Sequence, residues 1–384
     1  MTNKLFYEDP RQTEFSATVQ NCIPTEKGTF LVTLTDTAFF PEEGGQNADS
    51  GFINGNEVID VQIKDDIIYH ELESALNPGD KVMGQVDWDK RFDYMQQHTG
   101  EHIISGLVNK KYGYNNVGFH LGDEEVTLDF DGILTLEQLR EIEVIANHAI
   151  SDNLPVLVSF PPAKELEMLN YRSKIEIKGA VRIVAIPGVD VCACCAPHVE
   201  TTGEIGLIKV TNVQKHRGGV RVNILCGFRA LADYTDKQDS VSSISVQLSA
   251  KPDAVSDAVA RLKEENLKQK NRMISLQQQL LQLQLSSVPA KQENVVLFFD
   301  DLDTPAMRDA VNTLCETHKG YCSVFKGNDS DGYQYILGST YKNCKDVSSI
   351  LAHKFNARGG GSDKMIQGSL IADKEAIIEC ILNM

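Results

Sequence analysis

No stretch of the 384-residue chain is apolar over the length of a membrane span, and Met1-Thr2-Asn3-Lys4 opens no signal-peptide pattern. Neither a membrane partner nor a secretory leader is therefore expected. Cysteine is present in an odd number, nine, and is scattered apart from Cys192, Cys194 and Cys195. That argues against a disulfide framework and for a reducing cytoplasm, with any cysteine cluster available to metal. Positive charge is also short. Thirty-seven Lys and Arg stand against 54 Asp and Glu, giving a net charge of −17. Such a balance weighs against a nucleic-acid partner, because phosphate contacts favour a basic surface. Two local groups run the other way: Lys209, Lys215, Arg217 and Arg221, and Lys354, Arg358 and Lys364. Groups of this kind are commonly a solvated face, so any RNA binding would be local and salt-sensitive. The glycine run Arg358-Gly359-Gly360-Gly361-Ser362 lacks the lysine and serine spacing of a phosphate loop, and ATP binding is not expected.

What remains is a composition that suits soluble globular structure, 42% hydrophobic and 24% charged. The periodicities predict an α+β chain in four parts. Residues 1–88 read as a small β-barrel. Short alternating runs such as Phe15–Val19 and Thr29–Leu34 are strand candidates, and Asn54-Gly55 is a hairpin turn of the I′ kind. Residues 89–233 mix helices and strands. A helix carries the apolar stripe Phe92, Met95, Thr99, Ile103 and Leu107, with Asp87 or Asp89 as N-cap and Gly113 past its end. Further on, Thr135 and Gln138 form a capping box opening a second helix, and single strands are expected at Val181–Val184, Ile186–Val191 and Gly206–Val210. Residues 234–288 read as a serine-rich stretch and a long helix with a heptad seam, Val255, Val259, Leu262, Asn266, Gln269, Met273, Leu276, Leu280 and Leu283, fit for a coiled coil or a helix lying on its own domain. Residues 289–384 alternate strands and helices in an α/β domain.

Two short motifs carry the chemistry. His98-Thr99-Gly100-Glu101-His102 places two imidazoles a turn apart on one helix face, at the rim of the buried stripe. About a hundred residues downstream, Cys194 and His198 stand in a Cys-x-x-x-His spacing. Together these supply three nitrogens and a thiolate, a tetrahedral set that suits Zn²⁺. Cys192 or Cys195 can replace Cys194 as the thiolate. A third stretch, Phe39-Phe40-Pro41-Glu42-Glu43-Gly44-Gly45-Gln46, pairs two glycines, which let a backbone approach a ligand, with an amide that both donates and accepts.

With Thr202-Gly203-Glu204-Ile205-Gly206, these motifs resemble, in content and order, the editing domain of alanyl-tRNA synthetase and its freestanding AlaX relatives. Arg358–Ser362 resembles the glycine-rich stretch of that synthetase's DHH-associated C-terminal domain. The resemblance covers nearly the whole chain, in the order of the long AlaX form. It implies a cytoplasmic, trans-acting deacylase that uses Zn²⁺ to remove serine or glycine from mischarged tRNA(Ala). No class II aminoacylation domain is expected, so the chain would not charge tRNA itself. By the resemblance the metal ligands are His98, His102, Cys194 and His198, and Thr37 and Gln46 contact the amino acid or terminal adenosine. The long helix or the C-terminal domain would bind tRNA, form a homodimer, or both. The sequence departs from the family where Cys195-Ala196-Pro197 replaces small residues and a threonine, which leaves the thiolate open.

Two other readings compete. His98-x-x-Glu101-His102 matches an inverzincin protease signature with Glu101 as general base, but leaves the other motifs unexplained. A zinc-stabilised tRNA-binding protein without activity is the third.

Overall fold

The N-terminal strands bury every second residue, as a sheet with one covered face requires. β1 (Asn3–Lys4) precedes β2 (Glu14–Pro24), which turns Phe15, Ala17 and Val19 inward. β3 (Phe30–Leu34), β4 (Asp36–Thr37), β5 (Gly51–Ile53), β6 (Asn56–Lys64), β7 (Ile67–Leu72) and β8 (Lys81–Val86) follow. Six of them close a barrel in the order β2-β3-β7-β6-β5-β8, and β1 lies parallel to β4. Asn54 and Gly55 take φ of 50° and 79°, the turn expected there. The β6–β7 connection repeats that geometry with Asp65 and Asp66, at φ of 50° and 60°. Gly84 leaves room for the Phe15 ring, which a Cβ at that position would meet at 2.2 Å.

This computed structural model describes residues 2–173 and 180–384 and divides into two compact units, Met1–Ser243 and Ile244–Met384. In the first unit, α1 (Trp88–Tyr112) starts at Asp87, whose carboxylate accepts from the amides of Asp89 and Lys90, and stops at Gly113 in the left-handed region. Its neighbours are β9 (Asn116–Leu121), β10 (Val126–Phe130), α2 (Leu136–Ser151) with the expected capping box, β11 (Leu157–Ser159), the short α3 (Ala163–Leu166), β12 (Ile183–Ile186), β13 (Asp190–Ala193), β14 (Ile208–His216) and β15 (Gly219–Cys226). They form two antiparallel sheets, β14-β15-β10-β9 and β11-β12-β13.

The structure departs from the sequence reading at three places here. The apolar run Ile186–Val191 is no single strand: Ile186 ends β12, the chain turns at Gly188, and Asp190 and Val191 open β13. The strand expected to stop at Val210 continues to His216 and returns as β15. β14 is an edge strand, so its outward residues are polar and mask the strand pattern. The third concerns α1. Every residue from Tyr94 to Val108 is buried, so the helix has no solvent side over that length and its histidines lie inside, not at a rim.

Barrel and helix are tied by one buried ion pair. Arg91 donates to both carboxylate oxygens of Asp49 and to the carbonyls of Pro10 and Ala38, and Asp49 also accepts from the Phe40 amide.

The serine-rich stretch is helical, within α4 (Gly227–Leu248), because serine on an exposed helix face costs only a few tenths of a kcal/mol, about 0.5. In the second unit, α5 (Val255–Ser287) precedes β16 (Val295–Phe299), α6 (Thr304–Thr317), β17 (Cys322–Asn328), β18 (Gly332–Gly338), α7 (Cys344–Phe355), β19 (Arg358–Gly361), β20 (Met365–Leu370) and α8 (Lys374–Leu382). The sheet order is β16-β17-β18-β20-β19. The glycine run is itself edge strand β19, its backbone paired to β20.

Candidate metal centre

α1, the turn after β13 and the Gly-Gly-Gln loop converge on one point. His98, His102, Cys194 and His198 each present a donor atom, all within 4.8 Å of one another, and could hold a metal ion. The thiolate candidate lies 3.5 Å from His98 Nε2 and 3.3 Å from His198 Nε2.

Local packing explains how α1 presents its two imidazoles. Gly100 faces Cys226, where a Cβ would come within 2.3 Å of the sulfur, and Gly106 faces the Val189 carbonyl at 2.5 Å. Both glycines let neighbouring backbone press against the helix. The second contact brings Asp190 onto His102.

Each imidazole is then fixed from behind. His98 Nδ1 is 2.8 Å from Gln46 Oε1, His102 Nδ1 is 2.9 Å from Asp190 Oδ2, and His198 Nδ1 is 3.0 Å from Thr99 Oγ1. Thr99 donates its own proton to the Met95 carbonyl, so it can only accept from His198. Outer partners of this kind hold Nδ1 protonated and leave the Nε2 lone pair facing the centre. Asp190 is anchored in turn by Arg172 at 2.7 and 2.8 Å. Sequence reading missed both residues, although a carboxylate in the apolar run before Cys194 is a signal, since buried charges are paired.

Charge separates the three cysteines. Burial raises the Cys194 thiol, but His98, His198 and His102 outweigh it and hold the group well below its ordinary range. Burial pushes Cys192 and Cys195 up. Cys195 turns instead toward Gly44, whose Cβ would meet its sulfur at 3.1 Å. Cys192 groups with Asp190 and the far side of His102. Burial drives the His198 pKa down to about 3, keeping it neutral. His102 is raised because Asp190 and Cys194 overcome its desolvation.

The Gly-Gly-Gln loop reaches the centre as a tight turn. Glu43 and Gln46 exchange backbone hydrogen bonds, and Gly44 and Gly45 take φ of 64° and 86°. The Leu121 amide donates to the Gly45 carbonyl, stitching the loop to β9. Gln46 is fully buried, and its Nε2 has no partner among the described residues. Thr37 sits on β4 with its hydroxyl engaged inside the barrel, 2.8 Å from His70 Nε2 and accepting from the Phe39 amide. Glu101 accepts at Oε1 from Ser105 at 2.7 Å and Asn116 at 2.6 Å, and its Oε2 lies 3.8 Å from His102 Nε2. Of the basic group, Lys209 pairs with Glu143 and Arg221 with Asp129, while Lys215 and Arg217 are exposed at the β14–β15 turn.

Two family models match the chain. The one described as threonyl and alanyl tRNA synthetase second additional domain covers residues 181–222, and the one described as tRNA synthetases class II (A) covers residues 5–90. An alanine–tRNA ligase of Methanococcus maripaludis is 30% identical over 398 aligned residues, spanning all of this chain and 43% of the ligase. An alanyl-tRNA editing protein Aarsd1-A of Xenopus laevis is 33% identical over 64% of this chain and 61% of that protein. Aarsd1 of Mus musculus is 28% identical over 95% of this chain and 93% of its own length. The chain spans less than half the length of the alanine–tRNA ligases it matches. By these matches the chain is similar to alanyl-tRNA editing proteins over nearly its whole length, and to part of the alanine–tRNA ligases.

Proposed function

We propose that the protein is a trans-acting hydrolase that clears serine or glycine from mischarged tRNA(Ala), with Zn²⁺ held by His98, His102, Cys194 and His198. The observation that carries this reading is the donor set. Three imidazoles have Nδ1 committed to Gln46, Asp190 and Thr99, and their Nε2 atoms meet a thiol held in its anionic range. Nitrogen and thiolate donors in a tetrahedral group suit zinc, whose binding would displace the protons its ligands carry without it. A zinc ion in that position supplies Lewis-acid polarisation to ester cleavage.

The chain's own groups supply orientation and selection. Gln46 spends its carbonyl on His98 and keeps an unpaired amide donor for the aminoacyl group. Thr37 donates to His70, whose Nδ1 is 3.1 Å from the Val32 carbonyl, and accepts one hydrogen bond from Phe39. One lone pair of its hydroxyl remains for the hydroxyl of serine. A site that pairs a substrate hydroxyl rejects the analogue lacking it by a large factor. The acidic balance is compatible with tRNA if the contacts are few and local.

Deacylation of Ser-, Gly- and Ala-tRNA(Ala) by wild type and His102→Ala tests the proposal. The wild type is expected to cleave the seryl ester and spare the alanyl ester, and the glycyl ester, which also lacks the hydroxyl, reads how much of the selection rests on Thr37. His102→Ala is expected to lose at least about a hundredfold in rate, the scale on which an oriented catalytic group acts. Equal rates for the two proteins would remove the site.

A further inference from the structure

We propose that Phe160 and Tyr7 form the platform on which the unpaired 3′-terminal base of the RNA substrate stacks. The inference rests on the hydrolase reading above and assigns that substrate a second point of attachment. Phe160 is 54% exposed, yet it stands only three contacts from the metal centre. Its ring meets Tyr7 edge-on, with centroids 6.1 Å apart. Tyr7 lies 5.2 Å from the Arg182 guanidinium, and Arg182 Nη1 donates to the carbonyls of Cys194 and Ala196, both at 2.9 Å. The path Phe160, Tyr7, Arg182, Cys194 therefore runs from open surface to the candidate thiolate.

Arg182 supplies the second observation. It is 8% exposed, its Nε has no partner, and no carboxylate pairs with it among the described residues. Its cation is met by the Tyr7 ring and by the Cys194 and Ala196 carbonyls, so Tyr7 is already one layer of a cation–π arrangement that a base can extend. Lys4 adds a second cation 5.9 Å from the Tyr7 ring. Aromatic rings interleaved with cations are how proteins hold single strands without reading sequence, since every base has a π face. The platform also resolves the charge problem. A chain of net charge −17 gains little from a broad electrostatic field, but a stacked base needs none. Leu157 and Val158, exposed on edge strand β11, extend the apolar surface beside Phe160.

The test uses uncharged RNA hairpins that copy a tRNA acceptor stem, one with a full 3′ overhang and one lacking the terminal nucleotide. Wild type is expected to bind the complete hairpin about 5- to 100-fold more tightly, the range that one stacked base contributes. Phe160→Ser should bring the two affinities together, and Phe160→Trp should restore the preference. Phe52→Ser, at an exposed ring on the barrel, should leave it unchanged. A wild-type preference that survives in Phe160→Ser, or a wild type with no preference, overturns the platform. Deacylation of Ser-tRNA(Ala) by the wild type, run in parallel, separates that outcome from failure of the hydrolase reading.

Discussion

The two long helices α1 and α5 answer opposite environments with patterns that mislead in opposite ways. α5 carries a clean heptad seam over 33 residues, yet Val259, Leu262, Met273, Leu276, Leu280 and Leu283 on that seam are all exposed. Of its apolar residues, Leu281 joins the core of its unit, one position off the seam. α1 carries only a modest stripe interrupted by Gln96, Gln97, His98, Glu101 and His102, and is buried from Tyr94 to Val108. Periodicity reports that a stripe exists, whereas coverage is set by the rest of the chain. What lets α1 sit inside is that its polar groups are satisfied. Gln97 exchanges two 2.8 Å hydrogen bonds with the Cys226 backbone, and Gln96 donates to the Glu204 carbonyl. A buried polar group with a partner costs little, and one without costs about 1–3 kcal/mol.

The comparison is broken most severely at Arg91, the residue through which α1 grips the barrel. Arg91→Ala would leave the Asp49 carboxylate buried and unpaired and strip a donor from the carbonyls of Pro10 and Ala38. Removing one partner of a buried ion pair costs about 3–5 kcal/mol. Chemical denaturation of the variant should show that loss in the transition of the first unit. An unchanged midpoint would mean that apolar packing alone seats α1.

A smaller effect is expected at Asp190, which acts on α1 through His102. Asp190→Asn keeps an oxygen for Nδ1 but removes the charge that Arg172 clamps. Loss of an outer-shell partner costs about 10- to 100-fold in metal affinity. Competition of the zinc-loaded protein against a chelator should show that weakening while the fold, read by circular dichroism, is retained. Unchanged affinity would reduce the Arg172–Asp190 pair to a structural tie.

These expectations also mark what the sequence made legible. The three histidines and a cysteine from the 192–195 cluster were readable as candidate donors because chemistry demands particular side chains at particular spacings, whereas Gln46, read as a substrate contact, places its carbonyl against His98. The hairpin at Asn54-Gly55 and the capping box at Thr135 were readable because their signals are local. Asp190, Arg172 and Arg182 were not, since each acts only across the fold, on His102 or on the Cys194 turn. β15 was masked because its hairpin tip holds Arg217 and Gly218, and its partner strand faces solvent. The choice among Cys192, Cys194 and Cys195 turns on direction. Cys192 lies in β13 and Cys194 and Cys195 in the turn after it, and the structure sends one sulfur to the histidines, one to Gly44 and one to Asp190.

The smallest effect is expected on the helix with the better pattern. Leu276 lies at the middle of the α5 seam and is 49% exposed. A surface substitution away from packed contacts usually changes stability by less than about 0.5 kcal/mol. Leu276→Gln should therefore leave the unfolding transition of the second unit where it is, whereas Leu281→Gln, which enters the core shared with α6 and β17, should lower it by about 2–5 kcal/mol. The two residues are five apart on one helix, so propensity and length are held nearly constant and only coverage differs. If Leu276→Gln destabilises as much as Leu281→Gln, and more so as protein concentration rises, a second copy of the helix covers the seam. The contrast between α1 and α5 would then be one between a helix buried by its own chain and a helix buried by its partner.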